Sequence, residues 1–550
     1  MLYDEEIYAD LLSEDDNFSD SESDSDSGSD VVVRRFKNKG TPIISESESD
    51  EENSVANDWS EVDFKPDFHA CLERCGLQVP CTPDILSTVD LFIGADLFDL
   101  FVTQTNLYHN QQNNDNNNAS RKNNAWVDTN VVEMKKFLGL VILMGIIKKP
   151  EQDDYWSTHP GLHLPIFGNT MPRNRFRQLW KYWHFNNNEH CQERLDKIKP
   201  VYTNLVEKFQ KIYKPEKELS LDEGIIPWRG RLSFRTYNPA KIIKYGILVR
   251  MVCEASSGYI CNLEIYCAQG KSLIATILSV LSPYLNLWHD IYMDNYYNSV
   301  KVAEELLQRK TNVCGTIKAN RGVPNCLKSA TLKNKSMEFH RKGKILVQKW
   351  NSAKKSITMI STIHSAEIVE CVSKKTKKKS MKPICIREYN KFMKGVDHAD
   401  QYLSYYSILR KTKKWTKKTV LYLINCALLN AYQICIKNSE NPIRFKQFLL
   451  NLALAWINGN EEEQQSRSAA QCNKRSPRND PPDRLTADIR KHRITRITGN
   501  GRIQNPRRAC KVCTAAKKRS STAYMCSSCN APLHVGKCFE NYHTNKNYES

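Results

Sequence analysis

The hydrophobic periodicity of the chain changes twice, and these two changes restrict the fold more than any other feature of the sequence. From about Phe68, apolar residues recur at the spacing of amphipathic helices, as in VDLFIGADLFDLFVTQTNLY and VVEMKKFLGLVILMGII. From Leu219, the runs SLDEGIIPW, KYGILVRMVCEA and YICNLEIYCA are rich in residues that favour strands. From Arg387 to about Ile457 the helical spacing returns. We therefore expect a strand-containing core between two helical segments.

The predicted core alternates strands with helices. The turn SSG at Ser256–Gly258 joins two of the predicted strands as a hairpin. The apolar helix SLIATILSVLSPYL follows, and after it come the strand in HDIYMDNYYNS, the helix VAEELLQRK and the strand in NVCGTIKAN. This order predicts a mixed α/β core. The segment from about Arg321 to Lys382 is basic and less regular, which indicates an inserted subdomain.

Length and composition limit the number of folded units and the class of protein. A chain of 550 residues exceeds the size of one ordinary domain, so three or more folded units are expected. No stretch approaches the roughly 20 apolar residues that a membrane span needs, so no membrane partner is expected. The first residues lack the apolar segment of a secretory signal, which favours an intracellular protein whose 19 cysteines are reduced or bind metal.

The net charge of +19 is unevenly distributed along the chain. Residues 1–60 carry 18 acidic and 4 basic side chains, a net charge of −14, so the rest of the chain carries +33. A body this basic suggests nucleic acid as a partner, with a merely soluble basic surface as the alternative. The acidic runs cannot form a core, so disorder is expected there. This tail either competes with DNA for the basic body or only keeps the chain in solution.

Three carboxylates stand out within the predicted core. Asp222 lies inside a strand beside Glu223, Asp294 ends the strand IYMDN, and Asp397 and Asp400 lie in MKGVDHADQY at the start of a helix. An acidic residue in an apolar strand is costly to bury unless it is neutralised, and a metal ion can do this. Carboxylates that hold two hard cations about 3.5–4 Å apart can support phosphodiester chemistry. Helix caps or ion pairs are the alternative, and spacing alone favours that alternative.

Cysteine and histidine residues crowd the C-terminal part of the chain. Two CxxC pairs and three further residues lie within 34 positions, namely Cys510, Cys513, Cys526, Cys529, His534, Cys538 and His543. Thiolate and imidazole suit Zn²⁺, and so short a segment would hardly fold without it. A cross-brace pairing completes one site with Cys510, Cys513, His534 and Cys538. It leaves the second site, Cys526, Cys529 and His543, without a fourth ligand.

Long, ordered segments of the sequence resemble piggyBac-family transposases. They include SLDEGIIPWRGRLSFRTYNPAKIIKYGI, YMDNYYNS, CGTIKANRGVP and MKGVDHADQYLSYYSILRKTKKWTKK, and the similarity runs from about Trp59 to the end of the chain. The resemblance implies an α/β RNase H-like catalytic core with an insertion subdomain, flanked by an α-helical DNA-binding and dimerisation domain and a C-terminal cysteine-rich zinc module. The implied boundaries are an acidic tail at 1–60, a helical domain at 61–217 and 407–458, a catalytic core at 218–320 and 384–406, an insertion at 321–383, a basic linker at 459–507 and a zinc domain at 508–545.

The resemblance also assigns chemistry to the aspartates. It implies that Asp222, Asp294 and Asp397 are catalytic and hold Mg²⁺ or Mn²⁺, and that Asp400 is needed for full function. The implied reaction is cut-and-paste transposition, with strand cleavage at the transposon ends, a hairpin intermediate and strand transfer into TTAA target sites. None of the four aspartates is replaced in this chain, which favours an active enzyme.

Basic residues are predicted to contact DNA. Lys318 and Arg321 match positions that grip target DNA in the family, with simple solvated charge as the alternative for each. Contacts that mainly position the phosphate backbone are predicted for a further group of residues. This group comprises Arg229, Arg231, Lys244, Arg410, Lys411, Lys413, Lys414, Trp415, Lys417 and Lys418.

The implied partners are transposon-end DNA, TTAA target DNA and a second copy of the chain in a homodimer, and the implied location is the nucleus. The zinc module is expected to bind transposon ends, with a histone- or protein-binding finger as the alternative. A second interpretation of the whole chain is a domesticated nuclear DNA- or chromatin-binding protein without catalysis. A structural role in binding RNA rests only on the basic charge.

Overall fold

The computed structural model describes residues 41–42, 59–82, 84–114, 126–239, 243–268, 270–352, 355–372, 379–459, 482–485, 492–497, 506–516, 518–545 and 548. They belong to two compact units, residues 1–460 and residues 461–550, and each unit is considered by itself. Most of the acidic tail and of the predicted basic linker lies outside the described residues.

Helices lead into the central sheet of the first unit, as the periodicity predicts. They are α1 (Ile85–Asp90), α2 (Ala95–Asn114), α3 (Val131–Ile146), α4 (Pro165–Thr170), α5 (Arg173–Tyr182) and α6 (Lys199–Ile212). Side chains cap two of them: Asp84 accepts a hydrogen bond from the backbone N–H of Ser87 at 2.9 Å, and Asn130 accepts one from that of Glu133 at 3.0 Å. Helix α3 is apolar on nearly every side and lies inside the core.

Most strands of the first unit belong to one large sheet. The strands are β1 (Thr41–Pro42), β2 (Gly76–Leu77), β3 (Tyr213–Lys214), β4 (Glu218–Pro227), β5 (Thr236–Tyr237), β6 (Tyr245–Glu254), β7 (Ile260–Ile265), β8 (Asp290–Met293), β9 (Asn312–Thr316), β10 (Met337–Lys342), β11 (Ile345–Asn351), β12 (Ser356–Ser361), β13 (Ile368–Val372) and β14 (Lys379–Pro383). The large sheet has the order β1-β5-β6-β4-β8-β9-β12-β11-β10, with β7 also paired to β6. Strands β2 and β3 form a separate pair, and so do β13 and β14.

The middle of the large sheet is mixed in direction. Strand β6 pairs antiparallel with both β4 and β7. Strand β8 pairs parallel with β4 on one side and with β9 on the other. Parallel neighbours need a crossover, and β4 reaches β8 through β6, β7 and a helix, while β8 reaches β9 through a second helix. The mixed α/β core predicted from the sequence is therefore present.

Further helices follow and interrupt these strands. They are α7 (Leu273–Leu281), α8 (Val300–Gln308), α9 (Asn325–Ser329), α10 (Ile384–Phe392), α11 (Gly395–Tyr405), α12 (Trp415–Lys437) and α13 (Phe445–Asn458). Helix α12 is long and apolar enough to cross a membrane, contrary to the expectation that no stretch approaches this length. However, 94% of its apolar window is buried within the protein, so it has the character of a core helix.

The segment that the sequence marks as an insertion extends the large sheet at one end. Strand β12 pairs antiparallel with β9. Strand β11 then pairs antiparallel with β12, and β10 pairs antiparallel with β11 as the last strand on this side of the sheet. An extended stretch before α1 covers the outer edge, because Ser60 and Arg341 exchange two backbone hydrogen bonds of 2.8 Å. Arg341 is buried and also bonds the Asp63 carboxylate at 2.7 Å. This pairing protects an otherwise open strand edge.

The second unit is built from short elements. Its strands are β15 (Ile494–Arg496), β16 (Arg508–Ala509), β17 (Ser521–Thr522), β18 (Tyr524–Cys526) and β19 (Ala531–Pro532), and its helices are α14 (Lys511–Ala515) and α15 (Lys537–Thr544). The apolar cluster of this unit has few members, and two of its buried residues are cysteines, Cys510 and Cys526. A core this small gives little hydrophobic stabilisation, so the unit needs another source of stability.

Candidate active site and metal centres

Asp222 lies in β4, and Asp294 directly follows the neighbouring parallel strand β8. In the ladder between β4 and β8, Leu221 is opposite Met293, so the next residue along each chain segment is one of the two aspartates. Neighbouring strands are about 4.8 Å apart, and residues at the same level of a parallel pair point to the same face. Both aspartate side chains are half-buried. The sheet thus presents two carboxylates together.

Helix α11 crosses the face of β4 that carries Asp222. At its start, the backbone N–H of Val396 donates to Ser220 Oγ at 3.1 Å. Five residues into the helix, Asp400 Oδ1 lies 3.3 Å from where a Cβ on Gly224 would be. Positions 220, 222 and 224 share one face of the strand, because strand side chains alternate. Helix α11 therefore spans the level of Asp222.

Helix α11 carries the other two predicted aspartates, Asp397 and Asp400. Asp397 lies in the first turn of α11, where its side chain is exposed, whereas the Asp400 side chain is half-buried. The close approach of helix and strand requires a small residue, since a Cβ on Gly395 would lie 2.3 Å from Ser220 Oγ. The structure thus brings Asp222 and Asp294 together on the sheet and sets Asp397 and Asp400 on the helix that packs against it.

Local hydrogen bonds orient the two sheet carboxylates. Asp222 Oδ1 accepts from the backbone N–H of Glu223 at 2.7 Å, and Asp294 Oδ1 accepts from that of Tyr296 at 2.9 Å. The neighbouring Glu223 has a different partner, because the buried Tyr297 hydroxyl donates to its Oε1 at 2.6 Å. Burial, followed by the charge of Glu223, raises the pKa of Tyr297 well above its usual value, so this hydroxyl keeps its proton.

The donor chemistry around these strands suits a hard divalent cation. Every predicted ligand is a carboxylate, and oxygen is the ligand that Mg²⁺ and Mn²⁺ prefer. The pKa of Tyr389 on α10 responds to these carboxylates. Burial raises the pKa of Tyr389 to about 12, and the negative charges of Asp294 and Asp222 contribute to the rise. The carboxylates are not gathered as tightly as a preformed metal cage, because they are absent from the described groups whose ligand atoms all lie within 4.8 Å of one another.

The first such group is formed by Cys510, Cys513, His534 and Cys538, as the cross-brace pairing predicts. Cys513 Sγ lies 3.5 Å from His534 Nδ1 and 3.8 Å from Cys538 Sγ, and Cys538 Sγ lies 3.7 Å from His534 Nδ1. Tetrahedral Zn²⁺ separates two sulfur ligands by about 3.8 Å and a sulfur from a nitrogen by about 3.5 Å. The other ring nitrogen of His534 contacts Ser520 Oγ at 3.3 Å, which helps to orient the imidazole.

The second group consists of His492, Cys526, Cys529 and His543, so it has a fourth member that the sequence prediction lacked. His492 Nδ1 lies 3.6 Å from Cys526 Sγ and 3.3 Å from Cys529 Sγ, and His543 Nε2 lies 3.5 Å from Cys529 Sγ. These separations also suit tetrahedral Zn²⁺. His543 Nδ1 lies 2.7 Å from the carbonyl oxygen of Phe539, which fixes Nε2 as the ligating atom.

Both groups are better suited to a cation than to free thiols. Burial and the neighbouring sulfur atoms raise the pKa of Cys529 and of Cys538 to about 12. Without a cation these side chains stay protonated, and packing several S–H groups against one another is unfavourable. A divalent cation removes this unfavourable packing, because it binds the thiolate form and releases the protons. The Cys/His clusters therefore have the composition and spacing of two zinc sites.

The basic residues predicted to contact DNA fall into two classes. The first class is exposed and comprises Arg229, Arg231, Lys244, Lys411 and Lys413. The second class has partners inside the protein. Lys414 Nζ donates to Tyr108 OH at 2.9 Å, Lys418 Nζ donates to the carbonyl oxygen of Arg410 at 3.1 Å, and Trp415 packs edge-on against Phe234.

Two of the predicted DNA contacts do not present a charged group at the surface. Lys417 is 3% exposed, and its Nζ donates to the carbonyl oxygens of Trp180 and Lys181 at the end of α5. A lysine there satisfies carbonyls that the helix leaves without partners. Arg321 is also buried, while Lys318 lies over the Tyr296 ring with its Nζ 5.9 Å from the ring centre. The burial of Lys417 and of Arg321 therefore argues against the predicted DNA contacts of these two side chains.

Comparison with known proteins identifies the family. The family model described as Transposase IS4 matches residues 89–432, which is more than half of the chain. The human PiggyBac transposable element-derived protein 3 is 25% identical over 482 residues, covering 83% of this chain and 75% of that protein. The chain belongs to the piggyBac-type transposase family. The human PiggyBac transposable element-derived protein 2 is 23% identical and covers 71% of the chain and 69% of its own length.

A solved structure shares the fold of this chain. It is the cryo-EM structure of a piggyBac transposase synaptic complex with hairpin DNA, which matches with a TM-score of 0.63 and 21% sequence identity. The match covers 83% of this chain and 100% of that chain. The mixed sheet and the flanking helices therefore belong to a known architecture, while the domain boundaries given above stay predictions.

His492 is a candidate metal ligand that the sequence does not predict. It lies 18 residues before Cys510, within the segment predicted to be a polar linker. Its only signal is that it is the single histidine between positions 459 and 507. A lone histidine carries little weight by itself, so the assignment requires the three-dimensional arrangement.

Proposed function

We propose that this protein is a cut-and-paste DNA transposase whose catalytic residues are Asp222, Asp294 and Asp397. The observation that carries the proposal is the parallel pairing of β4 with β8, which sets Asp222 beside Asp294 under helix α11. The order β7-β6-β4-β8-β9, with three antiparallel strands followed by two parallel ones, supports an RNase H-like catalytic core. Asp400, on the same helix as Asp397, completes the candidate set.

The chain's own residues bind and orient the reacting groups. Asp222, Asp294 and Asp397 would hold Mg²⁺ or Mn²⁺, which when bound activates an attacking oxygen and stabilises a leaving one. The proposed reaction begins with hydrolysis of one strand at the transposon end. The freed 3′-hydroxyl then attacks a phosphodiester of the opposite strand, which closes a hairpin on the transposon end and releases the flanking DNA with a 3′-hydroxyl. Hydrolysis of the hairpin regenerates the transposon 3′-hydroxyl. This hydroxyl attacks a phosphodiester of target DNA at TTAA and releases a 3′-hydroxyl of the target strand.

DNA binding in this proposal uses both units of the chain. The exposed residues Arg229, Arg231, Lys244, Lys411 and Lys413 would meet the phosphate backbone, and Lys318 would meet target DNA. The two Cys/His clusters would hold Zn²⁺ and shape a module that binds transposon ends. A homodimer, which brings two ends together, and a nuclear location complete the proposal.

An assay of excision and integration with the element's own ends tests this function. The parent protein is compared with Asp294→Asn, and Asp153→Asn is the matched control because Asp153 pairs with Arg177 on the surface, away from the sheet. We expect Mg²⁺-dependent excision and insertion at TTAA by the parent and the control, and none by Asp294→Asn. Equal excision by all three proteins would remove Asp294 from the catalytic set.

A second candidate function is a domesticated DNA- or chromatin-binding protein without catalysis. It is favoured by the names of the two human relatives, which are called transposable element-derived proteins. The same assay separates the two functions. End-specific DNA binding without excision by the parent protein would support the domesticated protein.

A further inference from the structure

Asn298 is a buried amide in the turn that follows Asp294. Its side chain is 1% exposed, and its Nδ2 lies 2.9 Å from the carbonyl oxygen of Met293, 3.1 Å from that of Asp294 and 3.0 Å from that of Thr316. All three neighbours can only accept hydrogen bonds, so the NH₂ group of the amide must face them. The two N–H groups of one side chain are therefore shared among three backbone carbonyls.

These carbonyls belong to the ends of two parallel strands. The last paired positions of β8 and β9 are Met293 and Gly315, and the amide continues the connection one residue beyond them. Gly315 provides the space for it, since a Cβ at this position would lie 1.9 Å from the carbonyl oxygen of Met293 and 2.3 Å from Asn298 Nδ2. Asn298 and Gly315 together hold the strand ends at a fixed separation.

Asp294 is thereby restrained at both its backbone and its side chain. Its carbonyl oxygen accepts from Asn298 Nδ2 at 3.1 Å and from the backbone N–H of Asn298 at 3.3 Å. Its carboxylate Oδ1 accepts from the backbone N–H of Tyr296 at 2.9 Å. The turn from 294 to 298 therefore sets the direction in which the carboxylate leaves β8.

The Asn298 amide also carries a cost in stability. Within the part of the chain that the structure describes, Asn298 Oδ1 is buried and has no hydrogen-bond partner. A buried acceptor without a donor lowers the stability of the folded protein. The N–H donors of Asn298 therefore have a role beside Asp294 that outweighs this cost.

We propose that Asn298 is a positioning residue that fixes Asp294 relative to Asp222 for binding of the catalytic divalent cation. This inference rests on the proposed function, in which the two aspartates are cation ligands. Asn298 does not touch the cation. It holds the ends of β8 and β9 so that the Asp294 carboxylate keeps the level and direction that match Asp222 on β4.

Divalent-cation affinity is the readout that separates positioning from mere stability. Full-length protein loaded with Zn²⁺ is titrated with Mn²⁺, and bound Mn²⁺ is followed by EPR. The Mg²⁺ concentration that gives half-maximal nicking of transposon-end DNA is measured in parallel. The variants are Asn298→Ala, which removes the donors, and the milder Asn298→Ser, which keeps one donor.

The chain offers a matched control in Asn430. This amide is also fully buried, and it bonds the backbone of Ile260 through Nδ2 at 2.9 Å and through Oδ1 at 2.8 Å, which ties α12 to β7 rather than to the aspartates. Asn430→Ala should lower the melting temperature without changing the affinity for Mn²⁺. The melting temperatures of all variants are compared so that equal losses of stability can be matched.

We expect Asn298→Ala to weaken Mn²⁺ binding and to raise the half-maximal Mg²⁺ concentration about tenfold or more, with Asn298→Ser intermediate. The proposal is overturned if both variants keep the parent's Mn²⁺ affinity while losing stability as Asn430→Ala does. A parent that binds Mn²⁺ but cleaves no DNA overturns the transposase proposal, and the affinities then still decide the role of Asn298. A parent that binds no Mn²⁺ overturns both.

Discussion

His492 Nδ1 lies 3.3 Å from Cys529 Sγ, although 37 positions separate the two residues in the sequence. This contact completes the second Cys/His cluster and gives it the same number of ligand atoms as the first. The ligands of the two clusters alternate along the chain in the manner of a cross-brace. The contact also links the segment just before β15, which begins at Ile494, to the CxxC pair that starts at Cys526 in β18, the strand with which β15 pairs.

Replacement of His492 by alanine should therefore reduce the zinc content from two ions to one per chain. The first cluster keeps its four ligands, whereas the second keeps three and loses most of its affinity. Native mass spectrometry of the purified protein counts the bound ions. His190→Ala, which alters an exposed histidine in the first unit, is the control and should retain two ions. Two ions in both variants would show that His492 is not a ligand.

The two Cys/His clusters illustrate which part of a site the sequence reveals. Seven of their eight members stand in a short segment with CxxC spacing, and this local pattern is enough to predict them and their pairing. His492 reaches its cluster only because β15 pairs with β18, and no local pattern specifies that pairing. Long-range strand pairing is set by the whole fold, so the eighth member could not be predicted.

The aspartates also have local features that the sequence predicts and a grouping that only the fold determines. Alternation and composition predict that Asp222 and Asp294 lie on strands, and both do or directly follow one. Their adjacency depends on parallel pairing between β4 and β8, which are separated by a hairpin and a helix. The resemblance to the family supplied the grouping that the residue pattern could not. The structure argues against the predicted DNA contact of Lys417, because the sequence shows the charge of this residue but not that the end of α5 needs a hydrogen-bond donor.

Lys418 should destabilise the protein at neutral pH, so Lys418→Met should stabilise it. Burial, and then the charge of Arg410, lowers the pKa of Lys418 to about 8. Below pH 8 the folded protein must keep a poorly solvated charge, whereas the unfolded chain solvates it freely. Between pH 8 and the ordinary lysine pKa the unfolded state binds more protons, so the parent gains stability as the pH rises. We expect Lys418→Met to raise the melting temperature at pH 7 and the difference to shrink above pH 8.

Thermal unfolding followed by circular dichroism from pH 6 to pH 10 measures this difference. Lys413→Met is the control, because Lys413 lies in the same basic run with an exposed side chain. The control should leave the melting temperature nearly unchanged at every pH. A Lys418→Met variant that is less stable than the parent at pH 7 would mean that its hydrogen bond to the Arg410 carbonyl outweighs the cost of burial.

His184 should make the first unit sensitive to mild acid. The ring is buried and stacks on Tyr108 with centroids 4.1 Å apart. Burial is the main cause that lowers the pKa of His184 to about 4. Between the ordinary histidine pKa of about 6.5 and pH 4, the unfolded chain takes up a proton that the folded protein does not, so stability falls by up to about 1.4 kcal/mol per pH unit.

Urea unfolding of the parent and of His184→Phe from pH 7 to pH 4 checks this. Phenylalanine keeps the stacking on Tyr108 and cannot be protonated, so the variant should lose less stability on acidification. His159→Phe, at an exposed position, should follow the parent. Identical slopes for His184→Phe and the parent would assign the acid sensitivity to other groups.

Substitution of alanine for Gly315, at the end of the parallel ladder between β8 and β9, should strongly destabilise the protein. At Gly315 an added Cβ would meet the backbone oxygen of Met293 at 1.9 Å, and a backbone atom inside a sheet cannot move away without breaking the ladder. We expect Gly315→Ala to lower the free energy of unfolding by at least about 2 kcal/mol. Gly168→Ala is the matched control, because nothing lies within 4 Å of its added Cβ in helix α4, and it should be neutral or stabilise by up to about 1 kcal/mol. Urea unfolding of both variants measures the two changes. Equal stabilities would mean that β8 and β9 can separate at this level, and would also weaken the argument that Asn298 holds them at a fixed distance.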